Sequence, residues 1–234
     1  MKIGKKQKEI RKTIGEGKKY SLDQAMQFLD GCAFTKFDQT VDVALRLGVD
    51  PKQGDQQVRG AVVMPHGLGK KVRVLVMAKG PKAQEAQEAG ADVVGADDLI
   101  PKINEGWTDF DVVIATPDMM GTVSKVGKVL GPRGLMPNPK LGTVTFDLKQ
   151  AIKDAKSGKA EFRAEKAGVV HTVIGKLSFG QEKLKENLKS LLEGVNRLKP
   201  NTAKGIYFKG MTVSTTMGPG IRVETSEINK LIGA

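Results

Sequence analysis

Gly69-Lys-Lys-Val-Arg-Val-Leu-Val-Met-Ala78 is where the texture of this 234-residue chain changes. Before it, residues 39–47 alternate: Val41, Val43, Leu45 and Leu47 fall on one side, and Thr40, Asp42, Ala44 and Arg46 on the other. That period predicts a strand with one buried and one open face. From Val74 to Met77 no polar residue interrupts the apolar run, a pattern that suits a strand covered on both faces. Short apolar strands recur at 91–95 and 111–115, and a further short strand is expected at 143–146. Helical stretches separate them at 82–89, 97–105, 117 to about 129, and 147–156. Strands alternating with helices predict a parallel α/β sheet.

Outside this block the chain reads differently. Ser21-Leu-Asp-Gln24 has capping-box spacing and opens a helix that buries Leu22, Ala25, Met26 and Leu29, with Gly31 placed to end it. Residues 58–64 read as a second strand. Residues 160–165 and 168–177 are expected to form a hairpin pair around Lys166-Ala-Gly168. Leucines at helical spacing predict a helix over 181–198, stopped before Pro200. Strands follow at 204–216 and 221–223. Neither flank offers a partner layer for its strands alone. The expected organisation is a discontinuous α+β domain, residues 1–68 plus 160–234, with a parallel α/β domain, 69–159, inserted into it. Residues 1–19, polar and cationic, are expected to be a helix or partly ordered arm that settles on RNA, or a solvated tail.

The chain carries 38 basic and 26 acidic residues, a net charge of +12, which favours a polyanionic partner. Residues 1–68 hold 12 basic and 8 acidic residues, and residues 160–234 hold 12 and 7. Most of the excess charge therefore belongs to the outer domain. One cysteine, Cys32, gives no disulfide framework and no cysteine metal site. The basic N-terminal stretch has no apolar core of a secretory signal, and no apolar run approaches membrane-spanning length. These features predict a reduced, soluble, cytoplasmic protein without metal or cofactor. The block 69–159 has the look of a nucleotide-binding sheet. It carries no G-x-G-x-x-G after a strand, no G-K-[ST] and no nucleophile–base set, so catalysis is not expected.

The stretch 121–142, GTVSKVGKVLGPRGLMPNPKLG, holds four basic residues (Lys125, Lys128, Arg133, Lys140) and no acid. Pro132, Pro137 and Pro139 exclude helix from its core. It reads either as a long connection or as a cationic loop that meets an anion. Three further groups are candidates for nucleic-acid contact. Lys36, Phe37, Thr40, Asp42 and Arg46 start and line the open face of the first strand, although Phe37 is in phase with the buried positions and could belong to the core. Lys166, Gly168, His171, Gly175 and Lys176 surround the expected hairpin. Ser214, Thr216, Met217 and Gly218 end a strand, with hydroxyls suited to a ribose 2′-hydroxyl. Each group taken alone reads first as an ordinary solvated face or strand end.

The 131–140 run, GPRGLMPNPK, closely resembles the signature of the large-subunit ribosomal protein L-one family. Lys36-Phe37, Asp55-Gln-Gln-Val-Arg-Gly60, Met64-Pro-His-Gly67, Lys183-Leu-Lys-Glu-Asn187 and Ser214-Thr-Thr-Met-Gly218 match the same family in order. The resemblance implies the discontinuous domain with a Rossmann-like insert. It implies binding to large-subunit rRNA at the mobile stalk beside the exit site, a part in releasing deacylated tRNA, and translational repression through the protein's own mRNA. It also implies a protein that is monomeric when free. Family contacts carry over to Lys36, Phe37, Thr40 and Asp42, to Lys166, Gly168, His171 and Lys176, and to Ser214, Thr216, Met217 and Gly218. Gln39 stands where the family commonly has an acid.

Overall fold

The computed structural model describes residues 5–15 and 17–233. In chain order the elements are α1 (Lys5–Ile14), β1 (Lys19–Tyr20), α2 (Leu22–Asp30), β2 (Thr40–Leu47), β3 (Arg59–Val63), β4 (Val74–Met77), α3 (Pro81–Glu88), β5 (Val93–Gly95), α4 (Leu99–Asn104), β6 (Val112–Ala115), α5 (Met120–Lys125), α6 (Gly127–Leu130), α7 (Leu148–Lys156), β7 (Lys159–Arg163), β8 (Val169–Lys176), α8 (Gln181–Arg197), β9 (Phe208–Thr215), β10 (Ile221–Val223) and α9 (Thr225–Ile232). They gather into two compact units, residues 1–69 with 160–234, and residues 70–159.

The first unit is built on a five-stranded sheet of order β1-β10-β9-β2-β8. β2 is antiparallel to both β8 and β9, and β1 is parallel to β10. The alternation in β2 does what its sequence dictates. Val41, Val43, Leu45 and Leu47 are buried, while Thr40, Asp42, Ala44 and Arg46 stay on the open face. The core beneath is aliphatic: Leu22, Ala25, Met26 and Leu29 of α2 and Leu184, Leu188, Leu191, Leu192 and Val195 of α8 pack against it. The capping box forms as read, with Ser21 Oγ accepting from Gln24 N and Gln24 Oε1 accepting from Ser21 N. Gly31 ends α2 in a right-handed conformation, without using glycine's left-handed freedom.

The expected hairpin at 160–177 is corrected. β7 pairs with β3 in a separate two-stranded sheet, and β8 joins β2. Between β7 and β8 there is an isolated bridge, Ala164 to Val170, with the turn bonds from Gly168 N to Glu165 O and from Glu165 N to Val169 O, and no continuous ladder among the described residues. The turn forms, but the two strands diverge into different sheets. α9 and the two-residue β1 were not expected. Of the 1–19 arm, residues 5–14 are α1, and residues 1–4 lie outside the described residues.

The second unit has a parallel sheet of order β5-β4-β6. Its uninterrupted apolar β4 is explained by two separate cores. Leu75 and Met77 face one, with Ile103, Val123 and Leu130; Val74 and Val76 face the other, with Leu148 and Ile152 of α7. The strand expected at 143–146 reduces to a single parallel bridge between Ala115 and Val144. Thr143 is engaged instead with the preceding loop: its Oγ1 accepts from Asn138 N at 2.7 Å and its N–H donates to Asn138 O at 3.3 Å.

Candidate nucleic-acid interface

The cross-strand register sets out the open face of the five-stranded sheet. Ala44 is opposite His171 on one side and Thr212 on the other, Thr212 is opposite Arg222, and Arg222 is opposite Lys19. One row therefore crosses all five strands with two cations, a histidine and a hydroxyl. The next row places Asp42 between Val173 and Ser214. Arg46 lies between Val169 and Gly210 toward the other end. Lys19, Arg46, His171 and Arg222 are exposed, and Thr40, Asp42, Thr212 and Ser214 are partly so. Cations interleaved with hydroxyls suit phosphates and ribose 2′-hydroxyls. Lys19, Thr212 and Arg222 were not among the residues singled out from sequence. Two of them sit on strands of two and three residues, too short to show a period, and only long-range pairing brings them onto the face.

At the Thr40 end the candidates converge. Lys176 is paired with Thr40, and its Nζ donates to Thr40 Oγ1 at 2.9 Å and to Asp38 O at 3.4 Å. Thr216 N donates to Thr40 O at 3.0 Å, and Thr216 Oγ1 accepts from Thr40 N at 3.1 Å. A register shift between Val41 and Asp42 interrupts the β2–β8 ladder here, as bulges do where a side chain is re-aimed. Gln39 is buried. Its Nε2 donates to Cys32 O at 2.7 Å and its Oε1 accepts from Met217 N at 3.0 Å. Gln39 is thus a neutral strut, holding the 217 corner against the end of α2.

Met217 is 49% exposed at that corner. Gly218 beneath it is a packing position. An added Cβ would lie 2.4 Å from Thr215 Oγ1 and 3.3 Å from Cys32. The alternative core place for Phe37 is overturned: it is 54% exposed. It lies in a bend before the strand begins, tied by Thr35 Oγ1 donating to Phe37 O at 2.9 Å, so the phase of β2 does not extend to it. Lys36 beside it is exposed.

The remaining candidates stand apart from this end. Lys166 is exposed on the turn before β8, at the Arg46 end of the ladder. Gly168 is buried there, with φ +71°. A Cβ on it would come within 2.9 Å of Val49 O, so its evident role is to make the turn. His171 lies between the two ends. Gly175 is buried beneath Phe179 and Leu184.

Asp42 is the acid in the middle of the face. Partial burial pushes its carboxyl above the usual range, and Lys176 and His171 pull it part of the way back. On the other unit, Lys125, Lys128, Arg133 and Lys140 are all exposed. Asn138 shapes their loop by accepting from Lys140 N at 2.9 Å, and Gly134 and Gly142 take left-handed φ. Arg133 donates to Thr108 Oγ1. Among the described residues no His, Cys, Asp and Glu group could hold a metal ion.

The model of the ribosomal protein L1p/L10e family matches residues 29–219. The chain belongs to that family. It is 55% identical, over 231 residues and 99% of each chain, to a protein of Syntrophobacter fumaroxidans named large ribosomal subunit protein uL1. The L1p/L10e match spans both units, from the end of α2 to the Met217 corner. As members of this family are structural ribosomal proteins, the chain is not an enzyme.

Proposed function

We propose that this chain is a structural constituent of the large ribosomal subunit, cytoplasmic in a bacterium, and that it binds large-subunit rRNA through the open face of its five-stranded sheet. The observation that carries this reading is the row Lys19–Arg222–Thr212–Ala44–His171, which continues into the cluster of Lys176, Thr40, Thr216 and Met217. A face of that width and chemistry matches the shape, backbone and 2′-hydroxyl contacts by which folded RNA is held. Lys36, Phe37, Asp42, Arg46, Lys166 and Ser214 flank it. Gly168 and Gly218 act by making the turns that bound it.

The two units are read as a discontinuous α+β domain and a Rossmann-like inserted domain. The inserted domain's cationic loop gives a second, weaker contact. The finer roles proposed here are those the family resemblance suggests: presence at the stalk near the exit site, assistance in releasing deacylated tRNA, and repression by binding a similar fold in its own mRNA. The free protein is read as a monomer without cofactor.

The test is binding to a folded fragment of large-subunit rRNA across a salt series, with crosslinked nucleotides mapped, for the whole chain and for a version in which a short linker replaces residues 70–159. The outer domain alone should fold and bind, with log affinity falling steeply against log salt. A flat salt dependence, or a folded outer domain that does not bind, would overturn this assignment.

A further inference from the structure

Beside the open face lies a cleft that shares only Arg222 with the contacts above. It has a volume of about 350 Å³ and lies between the end of α1 and the β9–β10 turn. Arg11, Lys18 and Arg222 line it, with the glycines 15, 17 and 220, and no acid is among its lining residues. Among the described residues none of these three cations is in an ion pair. Arg11 Nε is buried and has no hydrogen-bond partner there. A guanidinium N–H out of water and unpaired is costly unless an acceptor arrives. Glu16, between the lining glycines 15 and 17 in sequence, lies outside the described residues.

The place is continuous with the candidate RNA surface. Arg222 belongs to the row across the sheet, and Gln7 Nε2 of α1 donates to Met217 O at 3.4 Å. Gly15 and Gly17 have φ of +70° and +81°, and nothing lies within 4 Å of where a Cβ on Gly17 would be. At Gly17 the wall is thus open backbone, in a cleft that Arg11, Lys18 and Arg222 also line. Two guanidiniums and an ammonium around an open wall form a receptor for a tetrahedral dianion or phosphodiester, since the fork of arginine matches phosphate oxygens.

We propose that this cleft is a phosphate site and that it takes one backbone phosphate of the RNA crossing the sheet face. The proposal rests on the RNA reading given above. It makes α1 part of the grip: the helix brings Arg11 to the phosphate, and the phosphate in turn holds the helix to the β9–β10 turn.

The experiment uses the full chain. Arg11→Gln/Lys18→Gln is compared with wild type and with Lys12→Gln, which removes an exposed charge of α1 outside the cleft. Circular dichroism and thermal unfolding establish that each variant folds. Affinity for the folded rRNA fragment is then measured across salt. The double variant should bind roughly tenfold more weakly at low salt, and its log–log salt slope should fall by about one unit, the change expected when the protein neutralises one phosphate fewer. Lys12→Gln should leave the slope within error of wild type. In parallel, inorganic phosphate titrated into the RNA-free protein should shift the amide resonances of Gly15, Gly17 and Gly220, and the double variant should not respond.

An unchanged slope in the double variant, with wild type binding normally, overturns the proposal and leaves the sheet-face reading intact. An equal loss in Lys12→Gln overturns it in favour of undirected charge. A response to inorganic phosphate with no change in RNA slope reassigns the cleft to free anions and overturns the RNA part. Wild type failing to bind the fragment at any salt removes the functional reading itself, and this proposal with it.

Discussion

Replacing Met217 with aspartate tests the corner of the RNA face with the least risk to the fold. The side chain is 49% exposed. The corner is held by the main chain: Met217 N donates to Gln39 Oε1, Met217 O accepts from Gln7, and Gly218 N donates to Thr215 O. None of these bonds uses the methionine side chain, so thermal unfolding of Met217→Asp should stay near wild type. The open half of a methionine amounts to about 100 Å² of largely apolar surface, and covering it with a sugar or base edge stabilises the complex by at most about 2.5 kcal/mol at roughly 25 cal/mol per Å². A new carboxylate some 6 Å from a phosphate adds about 0.7 kcal/mol of repulsion in a water-like dielectric. Together these predict a loss of about 2–3 kcal/mol, or roughly 30- to 150-fold in Kd. Isothermal titration against the rRNA fragment at fixed salt measures it, with Met217→Leu as the apolar control expected within threefold of wild type. Unchanged affinity in Met217→Asp, or a loss matched by Met217→Leu, would refute the idea that RNA covers this side chain.

Asn187 is fully buried; its Nδ2 donates to Ile174 O at 2.7 Å and Gly67 O at 3.0 Å, and its Oδ1 accepts from His66 N at 3.1 Å. Asn187→Leu should cost about 2–4 kcal/mol in urea unfolding, because it strands three backbone groups; a cost below about 1 kcal/mol would mean that water or a rearranged chain replaces them. Thr215 Oγ1 is buried with no partner among the described residues. Thr215→Val should therefore leave stability unchanged or raise it by up to about 1 kcal/mol, with RNA affinity unaltered; a marked loss by calorimetry would show that the hydroxyl is satisfied in solution. The raised carboxyl of Asp42 has a definite sign. Its folded form keeps a proton at a pH where the unfolded chain has released it, so its contribution is most favourable below the unfolded value and declines as pH rises through the folded one. Asp42→Asn should flatten that decline and give a small gain at neutral pH, read from denaturation midpoints across the acid range; a loss of stability at neutral pH would reverse the sign. Arg133→Ala with Lys140→Ala should weaken RNA binding modestly and lower the salt slope by at most about two units; abolished binding with an intact fold would move the main contact to that loop.

Much of this architecture is visible in the residues because the deciding signals are local. The capping box at Ser21, the period of two from Thr40 to Leu47 and the unbroken apolar run from Val74 to Met77 each report burial within a few positions. What escaped depends on partners far along the chain. Lys19 and Arg222 gain meaning only from the β1–β10–β9 pairing. The 160–177 segment resembles a hairpin because its turn is sound, yet β7 leaves for β3. Phe37 falls in phase on paper because a bend between it and the strand has no sequence period. Gly168 and Gly218 suggest openings for RNA, whereas in the structure the chain's own backbone and side chains close over them.

The strand order also has a consequence for the chain as it is being made. β4, β5 and β6 find all their partners within residues 74–115, so the inner unit can fold as a unit before the rest of the chain is made. β2, by contrast, is translated well before either of its neighbours, β8 and β9, and Lys19 of β1 must wait for Arg222. A chain released after residue 160 would hold the complete inner unit and a β2 with neither β8 nor β9 to pair with, the state most open to mispairing. Such a chain would lack the five-stranded sheet face and keep only the weaker cationic loop, so the main grip on RNA would arrive late, as a sign that synthesis has passed β10.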